Sequence, residues 1–254
     1  MDAAHVALVA GAALAAGAVN AIAGGGSLLT FPALVAAGLP AVTASVTNTV
    51  ALCPGYLGAT WAQRRELSDQ GKRLGELMPA GALGGLAGAL LLLHTGEAVF
   101  RLVVPFLILF AAVLLAAQHR LRAFLLARSR GAHSPAWAIV PVALASVYGG
   151  YFGAGLGVII LAALAVVIDD SLTRINALKQ AISLACNVTA AVWFLFSGRI
   201  DWVVTAIMAG GALVGGVLGG ALVSRIPARV LRWVIVTFAI ALAAVYLARL
   251  AHTT

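Results

Sequence analysis

Charge is what this chain has least of: 9% of its 254 residues are charged and 63% are apolar, against roughly a quarter charged in soluble domains. With a mean hydropathy of +1.06, that scarcity excludes a soluble fold and marks an integral membrane protein. Apolar runs near the ~20 residues that span a bilayer recur throughout, and no extramembrane domain fits, since the longest soluble stretch is about Gln118 to Pro135. Only two cysteines occur, Cys53 and Cys186, each inside an apolar segment, which excludes a disulfide framework and a thiolate metal site. The histidines His5, His94, His119, His133 and His252 lie mostly at segment ends without ligand spacing. No metal or other cofactor is therefore expected. Asp, Glu and His are missing from the span centres, so an intramembrane enzyme would lack its nucleophile and base at membrane depth. No Gly-Lys-Ser/Thr follows any glycine stretch, which excludes a nucleotide loop.

Hydrophobic runs divide into ten segments, five on each side of the linker "QHRLRAFLLARSRGAHSP". The first five are Ala4 to Ile22, the short Leu28 to Ala37, Val42 to Ala62, Leu77 to Leu93 and Ala98 to Ala117. Ala136 to Val147, Val158 to Ile168, Ile175 to Phe196, Val203 to Val223 and Val230 to Leu247 match them in order. No basic region precedes Ala4, so the first run reads as a span and not as a cleaved signal. The expected organisation is an N-terminal repeat 1–117, a basic cytoplasmic linker 118–135 and a C-terminal repeat 136–254, all one membrane domain. The net charge of +8 reads as loop charge that sets orientation and not as a nucleic-acid surface.

Placing the Arg-rich linker in the cytoplasm puts "QRRELSDQGKR", Arg174 and the group Arg225, Arg229 and Arg232 on that side too. The matching loop "SGRIDW" falls outside with one arginine, and Arg101 and Arg249 join it there. Unequal charge on equivalent loops is what two inverted repeats predict under the positive-inside rule. Both chain termini are expected outside. The second run of each half is too short to cross, about 15 Å of helix against a ~30 Å core, so each is expected to be a half-helix or a re-entrant element.

Each short run follows a glycine stretch: Gly24, Gly25 and Gly26 with Ser27, then Gly149, Gly150, Gly153, Gly155 and Gly157. Broken backbone at membrane depth is tolerated only inside protein or against a wet cavity. Paired breaks in inverted halves point to a central site where amides and helix N-termini hold an anion; the same glycines would also serve close helix packing. In the third segments, Asn176, Lys179 or Gln180, Ser183 and Asn187 form a polar stripe that should face the interior. Lys179 is the one basic residue more than a turn inside a span. Such a group is a functional candidate, although its depth would also let it snorkel. The milder partner stripe holds Thr43, Thr47, Asn48 and Thr49, suited to substrate oxygens and equally to interhelical hydrogen bonds. Asp169 and Asp170 read as a solvated cap of the next helix, and Gly81, Gly85, Gly88, Gly211, Gly215 and Gly219 as packing seams.

The motif "GGGSLLTFPAL" followed by "GLPAVTASVTN", its second copy "GGYFGAGLGVIILAAL" followed by "LTRINALKQAISLACNV", and the basic loop between them resemble the TauE/SafE sulfite-exporter family of membrane permeases. The second copy has Leu161 where the first has Pro32. The resemblance covers nearly the whole chain. It implies a multi-pass protein of the bacterial cytoplasmic membrane that moves sulfite, sulfonates such as sulfoacetate, or related sulfur-containing anions. The expectation is therefore an all-α permease of two inverted halves, each with a short broken or re-entrant helix. Its substrate oxygens would be held by backbone amides at Gly25, Gly26, Ser27, Gly155 and Gly157. Thr47, Asn48, Asn176 and Gln180 would add hydrogen bonds, Lys179 would supply charge, and a coupling proton or ion would accompany the substrate. A small-anion channel is the alternative.

Overall fold

The glycine breaks decide the path of the chain. The computed structural model describes residues 3–22, 24–128, 135–222, 233, 235–237, 239–241 and 243–244. In it α1 (Ala3–Ile22) stops before Gly24 and α2 (Ser27–Ala36) starts after Gly26. α3 (Ala41–Ala62), a 3-10 turn at Arg64–Leu67, α4 (Gly71–Thr95) and α5 (Glu97–Arg128) complete the first half. After a second 3-10 turn at Pro135–Ala138, α6 (Ile139–Tyr151) is parted from α7 (Leu156–Val167) by the other glycine stretch, and α8 (Leu172–Phe194) and α9 (Trp202–Leu222) follow. The residues described between 233 and 244 are helical. The rest of the tenth segment, Arg225, Arg229, Arg232, Arg249, residues 129–134 and both chain ends lie outside the described residues. The expected linker begins as helix, because α5 continues without interruption to Arg128.

Small residues along the helix seams reveal direction. Gly211 of α9 lies against Ala10 of α1, Gly215 against Leu14 and Gly219 against Ala18, so the two helices run the same way. Gly55 of α3 meets Ala212, and Gly220 meets Ala59, so α3 runs with α9 as well. Since α1 and α3 are both parallel to α9, α2 carries the chain back to the end from which α1 came. The second half repeats the logic around α4: Gly84 meets Ala143 and Gly88 meets Val147 of α6, while Gly81 meets Ile182 and Gly85 meets Cys186 of α8. α7 therefore returns the chain too. Both short runs re-enter. Gln63, just past α3, bonds to Asn176 at the start of α8, so α8 runs against α3 and the two hairpins enter from opposite ends.

Their tips touch. A Cβ on Gly24 would stand 2.6 Å from the Cα of Gly157, and one on Gly157 would stand 2.7 Å from the Cα of Gly24, a contact only two glycines can make. Gly24 also has φ +81, a left-handed conformation that glycine adopts at no steric cost. The breaks lie at these glycines and not at Pro32, which sits inside a continuous α2. Leu161, inside an equally continuous α7, therefore changes nothing in the path. Phe31 of α2 packs edge-on against Phe152 at the other tip, with ring centroids 5.2 Å apart, a geometry that adds about 0.5–1.5 kcal/mol to area burial.

α1, α4, α5 and α9 are long and apolar enough to cross a membrane. α3 and α8 match them in length, with 22 and 23 residues, but their polar stripes lower their hydropathy. Those stripes are buried: most residues of both helices are hidden from the surface, and the more apolar helices face outward. Trp61 and Trp137 are exposed near one end and Trp202 near the other, as interfacial aromatic residues are. The chain is thus an all-helical, multi-pass membrane protein.

Candidate functional site

All ten residues expected at the site are buried, but the fold gives them different partners. Lys179 lies about 10 Å into α8 at 1.5 Å per residue. It does not snorkel: it is 1% exposed, and its Nζ donates to the Asn20 carbonyl oxygen in the last turn of α1 at 3.2 Å. The carbonyl end of a helix favours a cation, so α1 stabilises the ammonium from across the molecule. One turn nearer the start of α8, the Asn176 amide donates to the Ala21 carbonyl at 3.2 Å and to Gln63 Oε1 at 2.7 Å. Both α8 side chains thereby converge on adjacent carbonyls beside the first glycine break. Gly157 borders the same spot, since a Cβ there would lie 3.4 Å from Lys179 Cδ.

The first break is organised from within. The Gly26 amide, expected to face substrate, donates instead to Asn20 Oδ1 at 2.7 Å. Asn20 is thus the residue the glycine pattern did not single out: its side chain holds the turn and its carbonyl holds Lys179. Asn48 accepts a hydrogen bond from the Thr30 hydroxyl, which ties α3 to α2. Ser27 lies at the tip contact, 3.8 Å from where a Cβ on Gly153 would be. Gly25 and Gly155 both face α5, against Leu115 and Ala111. Thr47 turns away from this group, accepting from the Asp201 amide at 3.1 Å.

Next to Lys179 in α8, Gln180 is fully buried and neither of its amide atoms has a hydrogen-bond partner among the described residues; the same is true of the Ser183 hydroxyl one turn on. Buried polar atoms without partners are rare in native structures and call for an explanation. Among the described residues, Lys179 is the one charged side chain in the buried set.

Both ends of the bundle are closed by polar ties. At the basic end, Asp170 receives Arg73 Nη1 at 2.6 Å and Arg174 Nε at 3.2 Å. Gln70 donates to the Arg174 carbonyl, and Arg174 to the Ser68 carbonyl. Asp170 is thus an ion-pair centre and not the solvated cap expected; Ser171 caps α8 by accepting from the Arg174 amide. Partial burial opposes ionisation of Asp170, but hydrogen bonds from Arg73, the Ser171 amide and Arg174 together hold its carboxyl below the usual carboxylate range. At the far end, Glu97 accepts from the Ala41 and Val42 amides, serving as the cap that Pro40 cannot provide at the start of α3. The candidate residues lie between these ties and are all buried.

The family model "Sulfite exporter TauE/SafE" matches residues 9–246. The probable membrane transporter protein YfcA of Escherichia coli strain K12 is 27% identical over 226 residues, 88% of this chain and 82% of that protein. A probable membrane transporter protein of Haemophilus influenzae is 28% identical over 205 residues, 81% and 80% of the two chains. The probable membrane transporter protein ORF9 of a Sinorhizobium species is 27% identical over 245 residues, 95% and 92%. No solved structure matches the chain.

Proposed function

Because the chain belongs to the sulfite exporter TauE/SafE family, we propose that it is a secondary transporter moving sulfite, organosulfonates such as sulfoacetate, or related sulfur-containing anions across the bacterial cytoplasmic membrane. The observation that carries this reading is Lys179: a buried ammonium held by a single carbonyl, with no carboxylate beside it among the described residues, where two re-entrant hairpins meet. A buried charge is stable only when paired, and a small anion is the pair the site lacks.

The exchange of partners between the halves, with α1 and α3 on α9 answered by α6 and α8 on α4, supports two inverted repeats. Transporters of that design bind at the repeat interface and alternate access by rocking one bundle against the other. On this reading Asp170 and its arginines close one side while Glu97 and Thr47 close the other, and each side opens in turn. The basic end, with Arg64, Arg65, Lys72, Arg73 and Arg174, is the cytoplasmic one under the positive-inside rule, which puts the start of α1 outside. A proton or ion is proposed to couple the cycle.

The test is flux into proteoliposomes with sulfite, sulfoacetate, taurine, sulfate and chloride, with and without a pH gradient. Saturable sulfite or sulfonate flux, accelerated by the same anion on the opposite side, is expected. Flux that never saturates and shows no counter-flow would make the protein an anion channel. Movement of none of the sulfur anions would refute the substrate class.

A further inference from the structure

Of the buried polar side-chain atoms left without a partner among the described residues, three lie on α8 close in sequence to Lys179, on Gln180 and Ser183, and the others are on Glu76 and Ser146. Gln180 is the neighbour of Lys179 on α8, about 100° round the helix at 3.6 residues per turn. Ser183 follows on the same face as Gln180. Both side chains are 0% exposed, and Gln180 Nε2, Gln180 Oε1 and Ser183 Oγ have no hydrogen-bond partner among the described residues. We propose that Gln180 and Ser183 form a neutral subsite that selects a singly charged sulfur oxyanion carrying an N–H or O–H donor beside its bare oxygens. The proposal rests on the transport reading above and names which ionic form that site takes.

Two independent counts lead to the same species. The first is charge. Lys179 is the one charged side chain in the buried set among the described residues. One ammonium neutralises one negative charge; a dianion would leave a net charge away from water, where its desolvation is not repaid. The second is donor and acceptor parity. Lys179 and Gln180 Nε2 only donate, and they suit bare oxygens, but Gln180 Oε1 only accepts. An oxyanion with no hydrogen on it offers acceptors alone and leaves Oε1 buried and unpaired. A singly protonated oxyanion, such as hydrogen sulfite in place of sulfite, satisfies the amide on both sides, and the Ser183 hydroxyl can rotate to either role.

Three probes of one shape separate these counts at a single neutral pH: sulfamate is a monoanion with an N–H donor, methanesulfonate a monoanion without one, and sulfate a dianion without one. Binding to the purified full chain in lipid nanodiscs is measured by calorimetry. Sulfamate is expected to bind roughly tenfold tighter than methanesulfonate, the scale of one unpaired buried acceptor, and sulfate more weakly than either. Gln180→Met should abolish the preference for sulfamate while keeping methanesulfonate ahead of sulfate. Gln180→Glu, which adds a negative charge in the same shape, should weaken all three. Equal wild-type affinity for sulfamate and methanesulfonate, or tightest binding of sulfate, overturns the inference whether or not the variants fold. Binding with the wrong ranking sinks this inference alone. If neither these probes nor sulfite bind, the transport reading falls with it.

Discussion

Asn48 on α3 and Lys179 on α8 stand 131 residues apart, the same interval that separates Gly84 from Gly215 and Gly88 from Gly219 in the packing seams. Both are buried, both lie on the central helices, and both sit near a hairpin tip. Their partners differ in kind. Asn48 closes on its own half through the Thr30 hydroxyl, a neutral pair that is complete in itself. Lys179 crosses to α1 and finds, among the described residues, one carbonyl, which satisfies one of three donors and eases the charge without neutralising it. On the proposed reading of two inverted halves, matching positions do different work: one holds the frame, and the other leaves an electrostatic demand for a ligand to meet.

Replacing Lys179 breaks that contrast most directly. Lys179→Ala should reduce sulfite flux on the order of 100-fold, the scale of a lost charge-assisted bond in a buried site, and Lys179→Asn, which copies α3 into α8, should not restore it. Wild-type flux in normally inserted protein would remove Lys179 from the site. The shared frame comes next. Gly24→Ala puts a methyl 2.6 Å from the Gly157 Cα and should cost about 2 kcal/mol or more, seen as a lower melting temperature in detergent. Gly11→Ala, with no described atom within 4 Å, should be neutral or stabilising by up to about 1 kcal/mol. Asn48→Ala should cost about 1 kcal/mol of stability and reduce flux less than Lys179→Ala does; equal losses of flux would erase the distinction between frame and site.

The smallest effect is expected at the basic end. Asp170 is held below the usual carboxylate range, so its ion pairs contribute fully above that range and are lost as pH falls through its own lower value. Wild-type protein should therefore lose thermal stability over that acid window while Asp170→Asn does not follow it. Parallel melting curves would show that the tie contributes nothing.

Periodicity and punctuation made much of this architecture legible. The glycine stretches marked both breaks, because few other sequences tolerate bare backbone at membrane depth, and the polar stripes marked α3 and α8 as interior helices. Whether the short runs cross or return was not readable, since direction resides in pairings such as Gly211 with Ala10. Lys179 and Asn176 stood out by depth and spacing. Their partners did not, because Asn20 and Gln63 lie 159 and 113 residues away in sequence, and no local pattern encodes such a contact. The Gly26 amide shows the converse: its occupant, Asn20, is six residues away. An asparagine in the last turn of an apolar helix, just before a glycine run, was the available signal.

The meeting of Gly24 with Gly157 has a mechanical consequence. Side chains that interlock can slip from one rotamer to another and let two bodies slide, but backbone pressed on backbone has no rotamers to exchange. If the halves rock as proposed, that contact would hold their separation at the tips to a single value and leave tilt as the free motion. In the proposed rocking cycle the contact would serve as a fulcrum. Because it sits inside the protein and not at either face, one angular displacement would widen one end of the bundle as it narrows the other.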